Sequence, residues 1–215
     1  MKATNPARRI MVFGDYRNYF QNRVTLQLLS RAVELGREMA AEVSVVVIGD
    51  GVDEWVGEYI AHGAHRVYVY EHVRLKDYNI ETYAFLLARL AAEEAPEIIL
   101  VGSTAFGREL APRVAKKLGT GLTADCIALD LTADGLLVQT APAFGGSLLA
   151  EIVTPGVYPQ MATVRAGIYQ EIPHDYAAQG EIVRLALPED LPRERVRLVR
   201  SERQSTRAQR LEDAR

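Results

Sequence analysis

Cysteine is nearly absent from this sequence, because Cys126 is the single one among 215 residues. One cysteine cannot form an internal disulfide, and the lack of a disulfide suits a reducing compartment. A single cysteine also excludes a cysteine-based zinc site. Long apolar runs are also lacking: stretches such as residues 45–48 and 98–101 are far shorter than the roughly 18 residues that span a bilayer. The apolar run at residues 10–13 is too short for the core of a signal peptide. We therefore expect a cytoplasmic protein without membrane insertion.

A strong excess of charge of one sign is missing as well, since 28 acidic and 25 basic residues leave a formal charge of −3. The charges are unevenly placed, with −7 on residues 1–192 and, from eight arginines and four acids, +4 on residues 193–215. Acidic residues interrupt the arginines, so we expect no nucleic-acid binding. The last segment has too few apolar residues for a core of its own. We expect residues 1–192 to form one domain, followed by an arginine-rich linker or fraying helix.

Two hydrophobic periods alternate along the first half of the chain. Short runs rich in β-branched residues predict buried strands at residues 9–14, 42–49, 66–70 and 97–102. Between these runs, apolar residues recur at spacings of three and four, which predicts helices. Four successive strand–helix units predict a parallel sheet with helices on both faces.

After Gly119 the pattern changes to strand-like segments separated by turn signals. These segments are residues 126–131, 136–142, 147–153, 161–169 and 181–187. We expect this half to extend the sheet with antiparallel hairpins that present an outward-facing surface. The predicted fold class is α/β: a three-layer α/β/α Rossmann-like, mostly parallel sheet with C-terminal antiparallel hairpins.

Ligands of open parallel sheets bind beyond the carboxyl ends of the strands, where the strand order reverses. Three segments follow predicted strands in this way: residues 14–17, 49–51 and 102–108. The third predicts an anion or nucleotide loop at a helix N-terminus, formed by Gly102, Ser103, Thr104, Gly107 and Arg108. It is neither a P-loop nor a GxGxxG motif. Alternatively, Ser103 or Thr104 caps the helix and Gly107 eases a tight turn.

Catalytic and metal-binding signatures are weak. The four histidines do not cluster, so no metal site is expected. An enzyme acting through Cys126, or through His62 and His65, stays open as a hypothesis, although the sequence places no base beside the thiol. We expect these residues to be structural and the protein not to be an enzyme.

Two long blocks, residues 98–130 and 140–169, carry a family resemblance. They contain GTGLTADC at 119–126, PAFGG at 142–146 and PQMATVR at 159–165. In order and spacing these motifs closely resemble the N-terminal domain of the electron transfer flavoprotein alpha subunit, over about residues 10–191. The resemblance implies a domain of the adenine nucleotide alpha hydrolase-like type.

The resemblance also implies an electron carrier rather than an enzyme. In that family an alpha and a beta subunit pair through similar α/β domains. Electrons pass from flavin-dependent dehydrogenases to an FAD that the C-terminal domain of the alpha subunit mainly holds. This sequence stops about where that flavin domain would begin, so we expect FAD only at the level of the heterodimer and no FAD-binding residue here. The alternative is a stand-alone nucleotide-binding module that uses residues 102–108.

The motif residues themselves are candidates for the partner interface. They are Thr123, Asp125, Gly145, Gly146, Gln160 and Arg165. The two glycines permit a turn with positive φ and close approach of another backbone. Asp125 and Arg165 could equally form an ion pair within the chain. The sequence departs from the family pattern at Ala141, where arginine is expected, and at Ala166, where proline is expected.

Overall fold

The computed structural model describes residues 8–17, 19–196 and 198–200. Four strand–helix units make up its first part, as the hydrophobic periods predict. They are β1 (Arg9–Gly14), α1 (Tyr19–Met39), β2 (Glu42–Gly49), α2 (Asp53–Ala61), β3 (Arg66–Glu71), α3 (Ile80–Glu94), β4 (Ile98–Gly102) and α4 (Ala105–Leu118). No helix in the described residues is long and apolar enough to cross a membrane.

Six further strands follow, and here the predicted boundaries need correction. They are β5 (Leu122–Cys126), β6 (Ala128–Leu131), β7 (Leu137–Ala143), β8 (Leu148–Ile152), β9 (Gln160–Val164) and β10 (Glu181–Leu185). The segment expected as one strand at 126–131 is therefore β6 alone, and Cys126 ends the preceding strand. The strand expected at 161–169 ends at Val164.

The strands form two sheets rather than one. Seven parallel strands run in the order β10-β3-β2-β1-β4-β9-β5, and β6, β7 and β8 form a separate antiparallel sheet. The expectation that hairpins extend the main sheet is thus wrong. The strands that extend it, β9, β5 and β10, are parallel, and the two hairpins form their own layer.

Helices cover both faces of the parallel sheet. On one face α1 and α2 pack over alternate strand residues such as Val12 and Val45, and the antiparallel sheet adds Leu129 and Leu137 to this core. On the other face α3 and α4 pack over the intervening residues, such as Phe13. Burial on both faces explains why β1 to β4 are almost continuously apolar. Between β1 and β4 the chain order reverses, which defines the switch point of the sheet.

Candidate functional sites

Asp15 and Thr104 meet at the switch point, just beyond the ends of β1 and β4. The Thr104 hydroxyl donates a hydrogen bond to Asp15 Oδ2 at 3.0 Å and accepts one from the Gly107 amide at 3.0 Å. Thr104 is thereby the N-cap of α4. Asp15 is 3% exposed. A buried carboxylate therefore lies next to the N-terminus of α4, where an anionic ligand was expected.

The side chain of Arg17 occupies the space next to Asp15 at the switch point. Its Nη1 atom donates to Asp15 Oδ1 at 2.5 Å. The guanidinium carbon lies 4.6 Å from the ring centre of Tyr78, 5.0 Å from that of Tyr83 and 4.4 Å from that of Phe106. Three aromatic faces at these distances attract a cation. A side chain of the protein thus fills the volume in which related folds hold a ligand.

The second predicted loop, residues 49–51, is also filled from within. Glu71 Oε1 accepts hydrogen bonds from the amides of Gly51 at 3.1 Å and Val52 at 3.3 Å, at the start of α2. The Tyr16 ring packs so closely on Gly49 that a Cβ there would lie 1.6 Å from the tyrosine hydroxyl. The N-terminus of α2 therefore already faces an anionic side chain of the chain itself.

Several of the five residues predicted as an anion or nucleotide loop make contacts within the chain. The amide of Ser103 donates to the carbonyl of Val164 at 2.7 Å. A Cβ on Gly107 would lie 1.9 Å from the carbonyl oxygen of Gly102, so glycine is required for the chain to pass there. Arg108 is exposed. The capping alternative describes Thr104 and Gly107, and the buried Asp15 carboxylate beside them opposes an anion.

Cys126 and the two candidate histidines do not form a catalytic group. Burial, with the charge of Asp125 adding to it, raises the pKa of the Cys126 thiol to about 12. His62 Nδ1 lies 2.8 Å from the carbonyl oxygen of Glu58, and His65 Nδ1 accepts from the amide of Val43 at 3.1 Å. These contacts are local and structural. The described residues also contain no group of three or more His, Cys, Asp or Glu side chains able to hold a metal ion.

Asp125 and Arg165 form the ion pair that the sequence allowed. Arg165 Nη2 donates to Asp125 Oδ2 at 2.6 Å, and both side chains are nearly half exposed. The Arg165 guanidinium holds the pKa of the Asp125 carboxyl below its usual range. The pair joins the ends of β5 and β9 and stays accessible from outside.

Gln160 and Thr123 lie inside the chain. Gln160 is fully buried, and its Oε1 accepts from the amide of Leu137 at 2.9 Å, which connects the parallel sheet to the antiparallel one. The buried amide of Gln160 offers no surface to a partner in this structure, and its role at an interface stays a prediction. Thr123 is 8% exposed. Its side chain offers little surface to a partner.

Gly145 and Gly146 form the predicted turn between β7 and β8, with φ of +69° and +90°. This turn, strand β8 and the loop after it expose a set of apolar side chains that we call the β8 surface. Its members are Phe144, Leu148, Leu149, Ile152, Val153, Val157 and Tyr158. Phe144 is 84% exposed and Leu149 62%. An exposed apolar cluster of this kind marks an interaction surface.

Sequence reasoning identified the PAFGG turn but not these apolar neighbours. The available signal was the pair Leu148-Leu149: adjacent residues of a strand point to opposite faces, so two leucines in succession make both faces apolar. Arg17 belongs to the predicted loop at residues 14–17, but the sequence does not indicate that its side chain fills the switch point. Its aromatic contacts come from residues 61 to 89 positions further along the chain, so the sequence carried no local signal for them.

The described residues thus form a doubly wound α/β domain in which Asp15, Thr104 and Arg17 occupy the switch point and the β8 surface exposes apolar side chains. Residues 10–190 match the family described as electron transfer flavoprotein domain. The chain therefore belongs to the electron transfer flavoprotein family.

Its relatives include alpha subunits of such carriers. It is 41% identical over 180 residues to the electron transfer flavoprotein subunit alpha of Thermoanaerobacterium thermosaccharolyticum, covering 84% of this chain and 54% of the relative. To the same subunit of Megasphaera elsdenii it is 44% identical over 161 residues, covering 74% and 48%. To protein FixB of Rhizobium meliloti it is 36% identical over 181 residues, covering 82% and 51%. The chain thus spans about half the length of the curated relatives it matches.

Proposed function

We propose that this chain is an alpha-type subunit of an electron transfer flavoprotein and that it docks a beta subunit through the β8 surface. Family membership and the names of the relatives support the carrier role. The role is that of a scaffold and interface, not of an enzyme with its own turnover. Residues 1–192 act as the docking domain, and the arginine-rich residues 193–215 act as a connecting segment.

The observation that carries this proposal is the exposure of the β8 surface. Both faces of β8 are open, since four of its five residues are exposed and Ala150 is half-buried. Within the described residues β8 is also an edge strand, paired only with β7. An edge strand with apolar side chains favours pairing with another chain unless a partner covers it. A cognate beta subunit is the partner that the family supplies.

In this proposal FAD is bound by the assembled pair of alpha and beta subunits. The side chains of Asp15, Arg17 and Thr104 at the switch point argue against a flavin or nucleotide bound at that position. Electrons pass from a flavin-dependent dehydrogenase to the FAD of the assembled pair. The described residues contribute the scaffold of that pair. The single buried cysteine suits a reducing compartment, and we place the complex in the cytoplasm.

Co-expression with a cognate beta subunit tests the proposal. Size exclusion, with protein and flavin absorbance recorded together, is expected to show a one-to-one complex. The double substitution Leu148→Glu, Leu149→Glu places two charges on the β8 surface and is expected to abolish that complex. The matched control is Ile182→Glu on β10, which is also an exposed apolar strand residue but lies on a different sheet.

Retention of the complex in the double variant would overturn the assignment of the surface. If both variants still form the complex, the interface lies elsewhere on the chain. If the unmodified chain forms no complex with a cognate beta subunit, the docking function itself is wrong. Circular dichroism of each variant checks that the fold is intact, because all three positions are solvent-exposed.

A further inference from the structure

A cavity of about 530 Å³ lies between α4 and the segment that follows the last strand. We call it the basic cavity. Its charged lining consists of Arg113, Lys116, Lys117, Arg193, Arg195 and Glu81, and its other walls are Ala84, Pro112 and Pro192. Volumes of this size are typical of small-molecule sites in proteins. It lies on the face covered by α3 and α4 and is separate from the β8 surface.

The outer wall of the basic cavity is held in place at both ends. Upstream, Asp190 accepts a hydrogen bond from Arg89 of α3 at 2.6 Å. Downstream, Arg195 pairs with Glu81 in the first turn of α3, and the carbonyl of Val196 accepts from Asn79 at 3.2 Å. These contacts fix the Arg195 side chain against α3 and hold the segment on either side of Arg193. The cavity is therefore built by the fold and is not a chance gap beside a surface helix.

The charge of the basic cavity is unusual for this chain. Five cationic side chains and one carboxylate give it a formal charge of +4, whereas residues 1–192 as a whole carry −7. Lys116 and Lys117 lie in the last turn of α4, where the helix dipole favours cations. The dipole does not account for Arg193 and Arg195, which the connecting segment brings to the same place. Glu81, the carboxylate of this lining, pairs with Arg195 and offsets one of the five positive charges.

We propose that the basic cavity binds a diphosphate group, either as free pyrophosphate or as part of a nucleoside diphosphate. Arginine binds phosphate oxygens in a bidentate manner, and lysine binds them as a point charge. One diphosphate would balance most of the +4 charge. The wall of Ala84, Pro112 and Pro192 gives the organic part of a nucleotide an apolar surface to contact. This site differs from the loop at residues 102–108, where Asp15 opposes an anion.

Isothermal titration calorimetry of the 215-residue chain with pyrophosphate and with ADP tests the proposal, and uncharged adenosine is the reference ligand. Both phosphates are expected to bind saturably at low salt, with an affinity that falls as sodium chloride is raised. The triple substitution Lys116→Gln, Lys117→Gln, Arg193→Gln is expected to weaken the affinities for pyrophosphate and ADP by at least about tenfold. It removes three of the five cationic side chains of the basic cavity. ADP binding more tightly than pyrophosphate would show that the nucleoside contributes. Equal affinities would show recognition of the diphosphate alone.

Two control variants locate the binding. The double substitution Arg37→Gln, Lys76→Gln removes exposed cations from α1 and from the turn after β3, and it should leave both affinities unchanged. Thr104→Val alters the loop at the switch point and should also leave them unchanged. Absence of saturable binding to the unmodified chain would overturn the proposal, and so would binding that the triple variant retains. Binding lost in Thr104→Val would transfer the site to the loop and equally contradict it.

Discussion

The hydroxyl of Thr104 donates a hydrogen bond to the carboxylate of Asp15 at 3.0 Å, across the ends of two strands separated by 89 residues in the chain. The contact joins the two sides of the switch point. The same hydroxyl accepts from the first turn of α4, so one oxygen atom satisfies a helix amide and a buried carboxylate. In other doubly wound domains this position binds ligands. In this chain it holds hydrogen bonds between the chain's own groups.

The first prediction concerns Thr104. Thr104→Val keeps the shape of the side chain but removes the helix cap and the donor to Asp15. We expect the free energy of unfolding to fall by about 2 kcal/mol, as loss of a cap together with a buried hydrogen bond predicts. Urea denaturation followed by circular dichroism measures it. Thr154→Val, in the loop after β8, is the control and should change stability by less than about 0.5 kcal/mol. Equal effects of the two substitutions would contradict the interpretation.

Gly107 and Gly57 are both helical glycines, yet alanine should have opposite effects at the two positions. A Cβ at Gly57 of α2 has no neighbour within 4 Å. Gly57→Ala should therefore raise the free energy of unfolding by about 0.5–1 kcal/mol, because alanine favours the helix. At Gly107 the same Cβ would lie 1.9 Å from the carbonyl oxygen of Gly102, and the backbone must move. Gly107→Ala should lower stability by about 2 kcal/mol or more.

Thermal and urea unfolding of the two variants, compared with the unmodified chain, test this pair. A stabilising effect of Gly107→Ala would show that β4 and α4 do not approach each other as closely as described. Because both substitutions carry the same intrinsic helix preference, their difference isolates the contact at the switch point.

The Asp125–Arg165 ion pair gives a prediction on pH. Arg165 keeps the pKa of Asp125 in the folded chain below its value in the unfolded chain. The stabilisation is therefore fully present above the unfolded value of about 4 and is lost as the pH falls through the lower folded value. Asp125→Asn removes the charge and keeps a residue that tolerates the φ of +59° at this position. The difference in urea midpoint between the two proteins should be larger at pH 6 than at pH 3.

The control for this prediction is Asp134→Asn, an exposed acid in the turn between β6 and β7. It should show no comparable pH-dependent difference. Since both members of the pair are nearly half exposed, 1 M salt should also reduce the effect of Asp125→Asn at pH 6. A difference that persists unchanged at pH 3 would indicate a contribution from the backbone at Asp125 rather than from charge.

The first half of the fold could be predicted because its signals are local. In β1 to β4 each strand is buried on both faces, so apolar continuity alone reveals it. The burial of β5 does not follow the alternation of its sequence LTADC, because a register shift lies between its two buried residues, Thr123 and Cys126. Strand β10 pairs with β3, which begins at Arg66, 115 residues before it. Nothing in its five residues indicates which edge of the sheet it joins.

The candidate site was predictable only in part for a related reason. Strand ends and helix caps are local, so the segments around residues 14–17 and 102–108 could be located. Whether such a segment is open or filled depends on side chains from elsewhere. Tyr78 and Tyr83, which enclose Arg17, come from the start of α3 and the loop before it. No spacing rule connects them to Arg17.

Cys126 gives the last prediction, on chemical reactivity. The thiol is buried at the end of β5, and its pKa is raised to about 12, so the reactive thiolate is scarce and inaccessible at pH 8. We expect iodoacetamide to leave Cys126 unmodified in the native chain and to alkylate it completely in concentrated urea. In a Ser147→Cys variant, peptide mapping by mass spectrometry should find native alkylation at position 147 and not at 126, because position 147 lies in the exposed turn before β8. Comparable labelling of both positions in the native protein would contradict the burial of Cys126 and reopen the hypothesis that it acts as a nucleophile.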